Sequence, residues 1–298
     1  MHTYNLSLPE GLQLRVMLPY PVFDDVYARM LLGAYVPGVR FMCEPVEAPV
    51  LSIIFRQSDR PRVVRRSRQV TMYDTWRGQP SLLDFIHLTY TLARLAWLQK
   101  GLYVVHSACV DDLLLVGHSG GGKTSTALQL ASKGGKVFSG NKTLIRIEAD
   151  GRLLAVAGTH TITAKSGIAQ KHLPSVGEDK VAYVGRNAYL LDPRMYCAEP
   201  NVEVKRIALV HLNDGADETS ELQPLSALHR LHPFFLDAMN ADAIVCGGKA
   251  IYPGTLPRNA HATLAIQLLP ALQKLKSIVA VTGSMPYVQT ALEVKRNE

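Results

Sequence analysis

Residues 113–134 read LLLVGHSGGGKTSTALQLASKG, and the fold turns on how this stretch is read. Leu113 to Val116 form a short, wholly apolar strand. A glycine-rich turn follows, and then TSTALQLASKG, whose pattern is helical. Gly117 to Thr124 match G-x-x-x-x-G-K-[ST], in the strand–loop–helix order that this motif requires. The chemistry needs these residue types. Gly117, Gly120, Gly121 and Gly122 let the backbone curl until its N–H groups face a polyphosphate. The helix N-terminus brings partial positive charge to the same spot. Lys123 is placed to bridge β- and γ-phosphates, and the Thr124 hydroxyl to ligate Mg²⁺. His118, Ser119 and Ser125 complete the expected nucleotide-binding set.

Before the loop, LYVVHSACV (102–110), an Asp111-Asp112 turn and the strand of the motif read as a β-hairpin. Strands follow at 136–139, 143–147 and 152–158, with Ala149-Asp150-Gly151 as a hairpin turn. VKRIALVHLND (204–214) is a long buried-type strand, residues 225–241 and 259–276 have helical patterns, and SIVAVTG (277–283) returns as a strand. GSMPYV (283–288) reads as a turn. Strands exceed what a plain β-α-β alternation would give, so a mixed sheet is expected. Before residue 80 the pattern is of strands and loops, with strands at 11–19, 48–56 and 62–73, the last able to pair with the second. Ser81 opens an apolar helix that Lys100-Gly101 closes. These patterns predict an N-terminal α+β domain over residues 1–100 and a nucleotide-binding domain over 101–298.

Composition narrows the function classes. The 298 residues are 47% hydrophobic and 19% charged, the proportions of a folded protein. No apolar run is long enough to span a membrane, and MHTYNLSLPE lacks the basic start and apolar run of a secretory signal. Cys43, Cys109, Cys197 and Cys246 form no C-x-x-C pair, which argues against a zinc site and a disulfide framework. A cytoplasmic chain with reduced thiols is expected. The net charge of +7 is concentrated: six arginines lie between Arg56 and Arg68 against the single acid Asp59. Such a segment binds phosphate, an acidic peptide or nucleic acid, or is simply a solvated strand. The lack of interleaved aromatics argues against nucleic acid.

A phosphotransferase also needs a carboxylate for Mg²⁺ and usually a base. The segment Phe138-Ser139-Gly140-Asn141-Lys142-Thr143 offers none. Asn141-Lys142-Thr143-Leu144 begins like a guanine-reading N-K-x-D, but Leu144 stands in place of the aspartate. Asp214, ending the strand IALVHLND, is either a metal-binding acid or part of an Asn213-Asp214-Gly215 turn.

The run VVHSACV–turn–LLLVGHSGGGKTSTALQLASKGGKVFSGN resembles the C-terminal kinase domain of HPr kinase/phosphorylase and its relatives, whose fold is shared with phosphoenolpyruvate carboxykinase. The likeness covers about residues 102–160. It implies an α/β fold: a mixed-sheet P-loop kinase domain of that type with a smaller N-terminal α+β domain. It implies ATP and Mg²⁺ at Gly117–Thr124, with His106 near the site on the adjacent strand, although a satisfied core histidine reads equally well. Family kinases carry one or two aspartates on the strand after the phosphate-loop helix; the matching positions here are Gly140, Asn141 and Lys142. Asn141 can still ligate Mg²⁺, and Lys142 can neutralise phosphate charge. The base then has no clear owner, His160 and Asp214 being the candidates.

The metal set expected from this reading is Thr124, Asn141 and Asp214; the catalytic set is Lys123, His106, Asn141 and Lys142. THTITAKSG (159–167), with His160 and Lys165, has the composition of a substrate loop. Arg186, Arg194 and Arg258 are of the type that clamps a transferred phosphate, although nothing in the sequence separates them from surface arginines. His229 and His232 lack a third ligand. The expected activity is ATP-dependent phosphoryl transfer to a hydroxyl of a small molecule or a peptide or protein serine. The alternative is a regulatory nucleotide-binding protein without transfer chemistry. A nucleotide and a hydroxyl-bearing small-molecule or peptide substrate are the expected partners, the arginine segment being able to recruit an acidic one, with no membrane and no nucleic acid; kinases of this likeness often assemble as homo-oligomers.

Overall fold

The computed structural model describes residues 1–45, 47, 49–74, 82–165, 180–183, 186–190, 197, 199, 201–236, 244–246, 249–251 and 257–297. It is an α/β protein with mixed sheets. The chain divides into two compact units: Met1–Lys100 with Asn240–Leu256, and Gly101–Met239 with Pro257–Glu298. The span 101–298 expected of one domain is thus interrupted by a segment that belongs with the first unit. No helix among the described residues is long and apolar enough to cross a membrane.

In the first unit, β1 (His2–Leu8) and β2 (Leu12–Leu18) form a hairpin whose turn places Glu10 and Gly11 in the left-handed region, at φ 60° and 69°. Next come α1 (Val26–Tyr35), β3 (Arg40–Met42), β4 (Leu51–Gln57), β5 (Arg62–Arg66), β6 (Gln69–Asp74) and α2 (Leu82–Leu98). The strand order is β3-β1-β2-β4-β6-β5, with β2–β4 and β4–β6 parallel. Alternate residues such as Leu6, Leu14, Val16, Ile53, Phe55 and Met72 are buried, as period-2 patterning dictates. Phe55 meets Phe85 of α2 edge-on at 4.4 Å, and the Trp97 indole N–H donates to the Pro9 carbonyl at 3.3 Å. Residues 62–73 are not one strand but a hairpin, because Ser67 turns the chain at φ 46°. Residues 26–35, read as strand or loop, are α1: the Asp25 carboxylate accepts the Tyr27 N–H at 2.8 Å and caps the helix.

The second unit begins with β7 (Leu102–Val105), β8 (Ser107–Val110) and β9 (Leu113–Val116), then α3 (Lys123–Ser132), β10 (Val137–Ser139), β11 (Thr143–Ile147) and β12 (Leu153–Gly158). β13 (Thr161–Lys165), β14 (Lys180–Tyr183) and β15 (Arg186–Leu190) make a small antiparallel sheet. β16 (Val202–Val204), β17 (Arg206–Leu212), β18 (Glu218–Glu221) and α4 (Pro224–Phe235) follow. The chain then passes through the first unit's hairpin, β19 (Ile244–Cys246) and β20 (Lys249–Ile251), and returns as α5 (Ala260–Gln273), β21 (Ser277–Gly283) and α6 (Met285–Asn297).

A six-stranded sheet, β10-β8-β9-β17-β21-β18, has β9, β17 and β21 parallel at its centre. One face packs Ala108, Leu113, Leu115, Val210 and Val281 with Leu128 and Ala131 of α3 and Val288 and Leu292 of α6. A second sheet of the unit is antiparallel, in the order β16-β12-β11-β7. The Tyr103 hydroxyl donates to Gln267 of α5 at 2.6 Å, and burial raises its pKa. The strand expected over 102–110 is divided at His106 between the two sheets. Residues 285–288, expected in a turn, open α6; Asp217 accepts the Ser284 N–H at 2.9 Å just before it. α4 ends at Phe235, inside the expected 225–241; residues 237–241 lie outside the described set.

Candidate nucleotide site

The strand registers bring several candidate residues to one edge of the six-stranded sheet. Ser107 pairs with Val116, so His106 sits one residue beyond the pairing, level with Gly117. β10 runs antiparallel to β8 and so delivers Gly140–Lys142 to the same edge. β17, parallel to β9, delivers Leu212 to Asp214 there as well.

The loop itself is held by its neighbour strand. Leu212 N–H donates to the Gly121 carbonyl at 3.0 Å, and Gly121 N–H to the His118 carbonyl at 3.0 Å. A Cβ at Gly117 would lie 2.5 Å from the Val210 carbonyl oxygen. At Gly122, with φ 94°, it would lie 2.2 Å from Leu212 Cγ. The loop is therefore all glycine where β17 approaches, a requirement that the one-dimensional motif does not explain. Gly120 also adopts a left-handed φ of 82°. α3 starts directly after Gly122, so the N–H groups of its first turn point into the loop. Lys123 is only 6% exposed, and its ammonium donates to the carbonyls of Gly117 (2.8 Å) and His118 (2.9 Å). A cation thus sits inside the loop, where a phosphate would be neutralised. Thr124 is half-buried, Ser125 buried, and His118, Ser119 and Gly120 exposed at the rim. The His118 ring stands edge-on to Phe234 of α4 at 5.2 Å.

Lys142, 4% exposed, lies on the crossing between the two sheets, beside half-buried Asn141. Their backbone N–H groups both donate to the Thr159 hydroxyl at 3.0 Å, and Thr159 N–H returns to the Lys142 carbonyl at 3.1 Å. Thr159, fully buried, thus fixes this corner. Beneath it, Ser107 donates to Thr143 at 2.8 Å, and Ser139 also bonds Thr143, tying the two chain crossings together. Sequence reading missed Thr159, Ser107, Ser139 and Thr143 as a group; hydroxyls at both strand junctions were the only available signal. Gly140 has no room for a side chain, since a Cβ would lie 2.6 Å from Ile162 Cγ1.

Asp214 is exposed, and the turn it occupies is closed by Asn213, whose side-chain oxygen accepts the Gly215 N–H at 3.0 Å. That geometry is the turn reading of Asn213-Asp214-Gly215. His160 is exposed after Thr159, and Arg258 is exposed before α5. The backbones of Lys165 and Arg186 lie in β13 and β15; Ser166, Gly167 and Arg194 lie outside the described residues. His232 stacks on His261 at 5.2 Å, and no cluster of three metal-ligating side chains occurs among the described residues. Neither a protein-family model nor a curated protein matches the chain in sequence.

Proposed function

We propose that this protein binds ATP with Mg²⁺ at Gly117–Thr124 and transfers the γ-phosphate to a hydroxyl of a small molecule or a peptide or protein serine, with a P-loop kinase domain of the HPr kinase/phosphoenolpyruvate carboxykinase type. The observation that carries the reading is the glycine cradle with the Lys123 ammonium inside it at the start of α3. Backbone N–H groups and Lys123 bind and orient the phosphates, while the Thr124 hydroxyl and the Asn141 side-chain oxygen are the ligand types for the metal. Bound Mg²⁺ would neutralise charge on the phosphates. Asp214 is the weaker metal candidate, because its segment already closes as a turn. Lys142, held at the same sheet edge, would add positive charge near the transferred group. His106, at the joint beside the loop, would supply a group able to move a proton.

A second reading is favoured by Gly140. Of the three positions that match the aspartates of the resembled kinases, Gly140 leaves no space for a side chain, because a Cβ there would meet Ile162, and a nucleotide-binding regulator needs no base. Purified protein with γ-labelled ATP, Mg²⁺ and an extract of its own cells, against a Lys123→Ala control, separates the two. Lys123-dependent label on one metabolite or peptide supports the kinase. ATP bound intact with no labelled product supports the regulator. Unchanged ATP affinity in Lys123→Ala would overturn both.

A further inference from the structure

β5 is the last strand of the first unit's sheet, and among the described residues no strand pairs with its outer side. Its row of backbone donors and acceptors is a template for another strand. Arg62, Arg65 and Arg66 on β5 are all exposed, as are Arg56 on β4, Arg60 before β5 and Arg68 in the turn after it. The register places Arg62 beside Tyr73 and Arg66 beside Gln69; Arg56 lies across from Tyr73 on the other flank. By strand alternation Arg62, Val64 and Arg66 share one face, and Val63 and Arg65 the other.

We infer that β5 is a docking edge for an acidic peptide in extended conformation, which adds to the sheet as a further strand. Charge chooses this occupant. The same arginines repel a second copy of β5, so the edge is protected against self-pairing while it attracts a strand of opposite charge. Backbone pairing favours a peptide over a nucleic acid. Among the described residues, the aromatic ring beside these arginines is Tyr73, which is already covered by the Arg62 guanidinium, 4.4 Å from its centroid, and so gives no open platform for a base. The spacing sets a pattern. Residues facing Arg62, Arg65 and Arg66 should be acidic and the two facing Val63 and Val64 apolar. A parallel peptide then reads acid-apolar-apolar-acid-acid, and an antiparallel one the reverse. This inference stands apart from the nucleotide reading, since it requires only binding.

Fluorescence anisotropy of the full chain with labelled peptides tests it. Two probes carry Glu-Val-Val-Glu-Glu or Glu-Glu-Val-Val-Glu between Ser-Thr flanks. Controls are a scrambled peptide of equal composition, a backbone N-methylated version and a single-stranded oligonucleotide of equal charge. One patterned peptide is expected to bind, with affinity about tenfold or more above the scrambled and N-methylated forms and above the oligonucleotide. Arg62→Gln with Arg65→Gln and Arg66→Gln should abolish that preference, and since these side chains are exposed the fold should hold. Equal binding of the scrambled or N-methylated peptide, tighter binding of the oligonucleotide, or binding by neither patterned peptide would each overturn the proposal. Because the peptides alone are varied in the first comparison, a folding defect of the triple variant cannot produce its result.

Discussion

Gly140 and Asn141 are adjacent, yet they tolerate a carboxylate very differently. A side chain at 140 meets Ile162 within van der Waals radii, whereas Asn141 is half-buried and already carries one. Gly140→Asp is expected to cost about 1–3 kcal/mol through overpacking, and Asn141→Asp clearly less, with a gain in Mg²⁺-dependent ATP affinity. Urea melts and calorimetry check both; equal stability losses would show that packing does not distinguish the positions. A second residue-scale prediction concerns Tyr4. Its hydroxyl donates to Asp24 at 2.9 Å, and burial, with that bond, raises its pKa to about 12. Between pH 10 and 12 the unfolded chain loses the phenolic proton while the folded chain keeps it, so stability should fall as pH rises through that window. Tyr4→Phe should flatten this part of the pH–stability curve. An unchanged slope would mean that other groups carry it.

Elements were legible where local signals agreed and illegible where they did not. The strand–glycine–helix run over 113–132 and the hairpin at 143–158 stand where the sequence places them. α6 was misread although its signals are present: Pro286 lies in the first helical turn, and Val288 and Leu292, four apart, are buried. The β5–β6 turn lacks the Asn-Gly type of signal, so its two strands merged in the reading. The site corner at Asn141-Lys142 depends on Thr159, eighteen residues away from Asn141, and no local pattern announces that partnership. Thr159→Val would remove the hydroxyl that both N–H groups share, at about 1–3 kcal/mol for the buried Lys142 bond and less for the half-buried Asn141 one. Faster amide exchange at Asn141 and Lys142, with α3 unchanged, is the expected result; unchanged exchange would show that the hydroxyl does not hold the corner. β8 buries the thiol of Cys109 and raises its pKa, while Cys43 is exposed. Alkylation of the native protein near pH 8 should therefore modify Cys43 well before Cys109, and comparable rates would contradict this packing.

For the whole molecule, the contribution of residues 240–256 to the first unit is the feature that no linear reading supplied. β19 lies against α2 within that unit. Replacing residues 240–256 by a Gly-Ser linker of equal length should lower hydrogen-exchange protection in α2 while leaving α3 and β17 unaffected; equal protection in α2 would show that the segment adds nothing to it. The glycine loop, its strand and helix, the mixed strand content and the arginine concentration are all legible along the chain, because backbone conformation and side-chain periodicity act over a few residues. Long-range packing makes β17 the wall of the loop, His106 the change of sheet, Gly140 a position without side-chain space, and β5 the last strand of its sheet among the described residues. Each of these depends on which distant segment is adjacent, and adjacency is set by the burial of apolar faces across the whole unit.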